Sequence, residues 1–257
     1  MKSHGLPVSR MLALGLLMLW GSARADDYRG DARLAFTRNE IPGDTLISHS
    51  ESTALSGTWY LAPVKTDGVP LSEAAFLGRA SYVSAVASQF DILGEHLHAY
   101  AATAGYYIPN SMFFLSATVA RSEGLMISST QRIKTHDTHW SGQLGLAPID
   151  GLLLTTRFDE DEYTPNITAR YVNKLPNSHF YAASVNVADY DFGGTDFGAD
   201  FDYFFDSGFS AGIGYQDGDG RWTARAEKFF TPRFSVDGSV YDSDFGHGFN
   251  VGAALRF

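Results

Sequence analysis

Nine charged residues recur at alternate positions within segments whose remaining alternate positions are mostly apolar. Five are cationic, Arg33, Arg157, Arg170, Arg225 and Arg256, and four are anionic, Asp200, Asp202, Glu227 and Asp237. Successive side chains on a β-strand point to opposite faces, so this spacing gathers the charges on one face and leaves the other apolar. Facing rows of guanidinium and carboxylate groups would set up a transverse field and order water, and rings of carboxylates favour cations. The same residues could instead pair with one another as salt bridges that brace the fold. Either way the expected chemistry is the handling of ions and polar solutes, with a mild preference for cations.

Bond-breaking chemistry has weaker support. Beyond residue 25, histidines stand at 49, 96, 98, 136, 139, 179 and 247. His96 and His98 share a strand face, as two metal ligands would, but no third ligand is evident. His136 and His139 flank Asp137 with no serine motif placed on the same face, so the set a hydrolase needs is missing. No catalytic residue, metal site or cofactor is expected.

The elements that must carry these residues are strands. From Asp31 onward, short period-two segments alternate with turn signals. Leu34 and Phe36 oppose Arg33 and Thr37, Phe201 and Tyr203 oppose Asp200 and Asp202, and Phe249, Val251, Ala253, Leu255 and Phe257 oppose Asn250 and Arg256. Residues 75–90 read as one strand on the same criterion. Compact turns fall near Gly68, Pro109, Pro148, Pro176, Ser207 and Pro232, on every second connection. The connections between them are acidic, with Asp159 to Glu162, Asp189 to Asp196, and Asp217 with Asp219 at their ends. Those carboxylates read as solvated loop charge, with divalent cations shared with lipopolysaccharide as the alternative.

Six turns separating seven hairpins predict an all-β fold, a closed antiparallel transmembrane β-barrel of about 14 strands, with about 12 to 16 as the range. Such a barrel is wider than those that side chains alone fill, so its lumen should hold water. No segment reads as a plug. Residues 41–51 and 124–137 are the longest loops and the candidates for a constriction.

Composition agrees. The chain has 257 residues, no cysteine, 14% aromatic and 19% charged residues, as suits a glycine- and aromatic-rich β protein stabilised without disulfides. Lys2 and Arg10, an apolar run from Met11 to Trp20 and small residues at Ala23 and Ala25 read as a signal peptide cleaved before Asp26. The expected domains are therefore 1–25, the signal peptide, and 26–257, one barrel destined for the bacterial outer membrane. Removing 1–25 takes away three basic and no acidic residues, moving the formal charge from −10 to −13. Nothing advertises nucleic-acid binding.

The stretch Trp59 to Leu77, WYLAPVKTDGVPLSEAAFL, resembles the general bacterial porin family of Gram-negative outer membranes. There a strand ends in an aromatic-x-x-Pro-Val step followed by Pro-x-x-Glu-Ala-Ala-Phe-Leu. Within it Glu73 is expected to pair with Lys65 or to cap a turn amide. The resemblance implies a passive porin for small hydrophilic solutes or ions, and brings no catalytic residues with it. The aromatic Phe257 likewise resembles the closing residue of outer-membrane barrels that the barrel-assembly machinery reads. Expected partners are outer-membrane lipid and lipopolysaccharide, that machinery and the solutes, with a homo-oligomer left open. The alternatives are a barrel enzyme hydrolysing lipid or peptide, and a closed structural or adhesive barrel.

Overall fold

The computed structural model describes residues 27–40, 49–92, 95–127, 132–160, 166–190 and 194–257. The signal peptide, most of 41–51 and the acidic pair Asp161-Glu162 lie outside the described residues. Fourteen strands run in chain order: β1 (Tyr28–Glu40), β2 (His49–Val64), β3 (Tyr82–Ile92), β4 (Glu95–Tyr107), β5 (Phe113–Ile127), β6 (Arg132–Leu146) and β7 (Leu152–Asp159). They continue with β8 (Asn166–Lys174), β9 (Phe180–Tyr190), β10 (Gly194–Asp206), β11 (Phe209–Gln216), β12 (Arg221–Thr231), β13 (Phe234–Ser243) and β14 (Gly246–Arg256). Each pairs antiparallel with its sequence neighbours, and β1 pairs with β14 from Asp31↔Arg256 to Glu40↔His247, which closes the barrel. Closure leaves no strand edge unpaired.

One face of every strand is rich in exposed apolar side chains, among them Trp59, Val119, Ile167, Trp222, Val240 and Leu255. An apolar exterior of this extent cannot be a water-facing surface; it suits a bilayer. Among the described residues no helix is long and apolar enough to cross a membrane.

The rim that carries Tyr28 and Phe257 also carries the six connections expected to be compact. Five of them are compact. Residues 65–81, between β2 and β3, are not. Pro70 precedes a 3-10 turn at Leu71–Glu73, which runs into a short helix, α1 (Ala74–Leu77). The expected strand at 75–90 therefore starts only at Tyr82. The run Ala-Ala-Phe-Leu favours a helix over a strand, and Gly78 ends it with its N–H on the Ala74 carbonyl, 2.9 Å away.

This segment lies across the barrel. On the near side Ala74 packs against Tyr28 and Val64, all almost fully buried. On the far side Phe76 and Leu77 pack against Val172, Ala182 and Phe204, contributed by β8, β9 and β10. Backbone and side-chain bonds fix its edges: Leu71 N–H donates to the Ser207 carbonyl (2.7 Å) and Arg79 Nη2 to the Ile149 carbonyl (3.2 Å). The chain thus has a floor segment, which corrects the expectation that no segment acts as a plug. The long loop expected at 124–137 is also corrected, since β5 and β6 stay paired out to Ile127↔Arg132.

Candidate functional site

Residues directly opposite in a β-ladder share a face. Following the register around the barrel, Arg33 lies opposite Ala254. On the same face of β14, Gly252 meets Asp237, which meets Glu227. On that face of β12, Arg225 meets Gly212, which meets Asp202. Asp200 meets Ser184, which meets Arg170, and Arg170 shares its face of β8 with Asn166, the partner of Arg157. Arg256 is two residues from Ala254. All nine candidate residues therefore stand on one face. It is the inner face, because Arg170 there meets Glu73 of the floor segment.

The arrangement on that face differs from facing rows. Arg33 donates from Nε to Asp237 Oδ1 (3.1 Å) and from Nη2 to Asp237 Oδ2 and Asn250 Oδ1. Arg225 grips Asp202 with Nε (2.7 Å) and Nη2 (2.9 Å), and reaches Asp200 with Nη1. Arg157 is bound by Asp159 two residues along the same strand, at 2.8 Å. Arg256 lies 4.4 Å from the ring centres of both Tyr28 and Phe229, a double cation–π contact. Glu227 forms no ion pair among the described residues. The two inter-strand pairs each reach over one intervening strand, Arg33 on β1 to Asp237 on β13 past β14 and Arg225 on β12 to Asp202 on β10 past β11, so the charges neutralise along the wall instead of facing across it. Glycines leave room for the pairs: a Cβ at Gly212 would meet Asp202 Oδ1 at 2.0 Å, and one at Gly252 would meet the Arg33 guanidinium at 2.4 Å.

The wall formed by β2 to β5 is different in kind. Ser56, Ser84, Ser88, Thr103, Ser116 and Thr118 occupy its inner positions, with Thr103 and Thr118 hydroxyls 2.9 Å apart. The inner face thus carries hydroxyls and small residues on this wall, and the described charge pairs lie on the rest of the ring.

Sequence reasoning missed Glu73. Its carboxylate is buried at 6% exposure, and both oxygens lie within 2.7 and 2.8 Å of Arg170 Nη2. Lys65 is not its partner. The signal was the isolated acidic residue in an otherwise apolar helical run, but its partner is 97 residues away in the chain. Between the floor and the wall of β10–β14 and β1 lies a chamber of about 390 Å³, lined by Glu73 and Ser72 from below and by Arg33, Asp202, Arg225, Glu227 and Asp237 from the wall.

Ser141 does share the face of His139, two residues along β6 and opposite Asp159, contrary to the expectation that no serine is so placed. The Asp159 carboxylate, however, is shared between His139 Nε2 (3.2 Å) and Arg157. His96 lies outside what is described of side chains. Among the described residues no group of three potential ligands surrounds a metal position. The described rim carboxylates are hydrogen-bonded locally: Asp196 accepts from Gln216 Nε2 and the Gly218 N–H, both at 2.7 Å, and Asp219 pairs with Arg221.

Among solved structures, the outer membrane protein Omp33 of Acinetobacter baumannii superposes with a TM-score of 0.73, covering 91% of this chain and 100% of that one at 17% identity. The chain has the fold of a porin-like outer-membrane barrel. The KdgM porin matches 88% of this barrel and 99% of its own chain at 11% identity, but with a TM-score of 0.43 it is too distant to carry an argument. No protein-family model and no curated protein matches the sequence of this barrel.

Proposed function

We propose that the barrel is an outer-membrane porin, a passive, water-filled route for small hydrophilic solutes or ions with a mild cation preference, narrowed at one mouth by the floor segment. The reading rests on one observation above all: a closed 14-strand barrel whose outer face is apolar and whose inner face carries the charged and hydroxyl side chains. A polar, charged interior has no reason to exist in a dry core, where each unpaired group would cost a few kcal/mol. The nine residues named above line the route in this reading. The rim with compact turns faces the periplasm and the acidic loops face outward, against lipopolysaccharide. Export by the cleaved segment 1–25 and insertion by the barrel-assembly machinery belong to the same reading, and no enzymatic activity does.

The floor segment favours a second reading, a closed structural barrel. Liposome swelling with sugars of graded size separates the two. The porin reading expects uptake that falls with sugar size, and no hydrolysis of lipid or peptide. If neither the native protein nor a variant with a loosened floor admits any sugar, the closed barrel is the better description.

Phe257 is proposed to serve assembly. Its backbone continues the ladder, accepting from Arg29 and Gly30 N–H at 2.7 and 2.9 Å. Its ring lies over Gly30, where a Cβ would meet it at 2.5 Å, and beside the outward-facing Trp59. Deleting Phe257 should lower the amount of protein in the membrane and leave single-channel conductance unchanged. An altered conductance would place the residue in the permeation path instead.

A further inference from the structure

The chamber above the floor has a charge balance that its own residues do not close. Two arginines and four carboxylates line it. Both guanidiniums are already engaged by carboxylates, Arg33 by Asp237 and Arg225 by Asp202 and Asp200. Glu73 is engaged by Arg170 from beyond the chamber lining. That leaves Glu227 as the lining carboxylate that forms no ion pair among the described residues. It stands directly opposite Asp237 in the β12–β13 ladder, and like charges placed so are destabilising. Arg256 attracts it electrostatically but forms no ion pair with it among the described residues, its guanidinium lying over the rings of Tyr28 and Phe229.

We propose that this chamber is a binding station for small organic cations that carry an ammonium group, with Glu227 as the carboxylate that receives it. This rests on the porin reading and specifies the solute class that the route favours. The volume suits it, since about 390 Å³ falls within the ~300–1,000 Å³ typical of small-molecule sites. The donors and acceptors suit it too. An ammonium has three N–H donors and no acceptor; Glu227, Ser210, Ser239 and Asn250, all on the lining, offer it a carboxylate and neutral oxygens. A calcium ion wants about six to eight oxygens, and the other carboxylates of the wall are held by arginines. An anion finds the guanidinium edges occupied.

Three four-carbon probes test this on the full chain in detergent micelles, followed by saturation-transfer NMR: 1,4-diaminobutane, the neutral 1,4-butanediol and the dianion succinate. Saturable binding of the diamine alone is expected. Glu227→Gln removes the charge without changing shape and relieves the repulsion from Asp237, so the barrel should still form. It should weaken the diamine about tenfold, the loss of one charge-assisted hydrogen bond, while Glu227→Asp retains most of the binding. Diamine binding no tighter than butanediol, or binding indifferent to Glu227→Gln, overturns the station; the latter outcome would mean the diamine sits on the acidic rim. The swelling assay separates this from the porin reading. Sugar uptake without diamine selectivity removes the station only, and Glu227-dependent diamine binding without any uptake keeps the station and removes the porin.

Discussion

Arg170→Ala is expected to release the floor and raise the conductance of the barrel in planar bilayers several-fold. The Glu73 carboxylate is buried against the barrel wall, and among the described residues Arg170 is the cation that holds it. Stripping the partner from a fully buried ion pair costs ~3–5 kcal/mol. The Arg170 side chain is 37% exposed, so roughly half of that is the reasonable expectation here, ~2 kcal/mol. A shift of that size moves a closed-to-open ratio by about 10- to 30-fold. Phe76 and Leu77, seated on Val172, Ala182 and Phe204, oppose the release but are only partly buried and contribute less than the ~1.5–3 kcal/mol of a fully buried side chain each. The double variant Glu73→Gln with Arg170→Met leaves no orphaned charge and should stay near the native conductance. If Arg170→Ala conducts as the native protein does, the apolar cluster alone holds the floor.

Arg225→Gln is expected to produce the largest change in selectivity. Arg225 neutralises Asp200 and Asp202, which lie two residues apart on the same face of β10. Without it two carboxylates project into the lumen beside Asp237 and Glu227, and an uncompensated carboxylate ring draws cations. The cation-to-anion permeability ratio, read from reversal potentials in a KCl gradient, should rise by roughly three- to tenfold at 0.1 M salt. The effect should shrink toward 1 M, where the Debye length falls to ~3 Å. Asp202→Asn should move the ratio the other way by less, because Asp200 still holds the guanidinium. Movement toward anions in Arg225→Gln would mean that the network is not on the ion's path. A loss of stability of ~1–2 kcal/mol should accompany the change, since the pair is only partly shielded from water.

Much of this molecule follows from local rules. Period-two alternation assigns each of the nine charged residues to one face with no three-dimensional information, because a strand offers its side chains only two directions. Turn residues on every second connection count the strands, and antiparallel pairing of sequence neighbours then leaves β1 and β14 to close the ring. Sequence periodicity could not say which charges meet. Arg33 finds Asp237 and Arg225 finds Asp200 and Asp202 because of how the strands are registered, and a register is a property of pairs of strands.

The floor lay furthest from what the sequence could reveal. Trp59 to Leu77 contains Pro70 and a short helix-favouring run, which mark an interruption but carry no direction. That the segment turns inward is decided by partners far along the chain: Arg170 for Glu73, Ser207 for Leu71, and Val172, Ala182 and Phe204 for Phe76 and Leu77. The amino-acid sequence by itself determined a barrel of about 14 strands with an apolar exterior and a charged inner face, because those depend on alternation. Only the tertiary structure decided that the charges pair along one wall, that a floor crosses one mouth, and that Glu227 forms no ion pair among the described residues, because each of these depends on contacts between strands or segments that closure of the ring brings together.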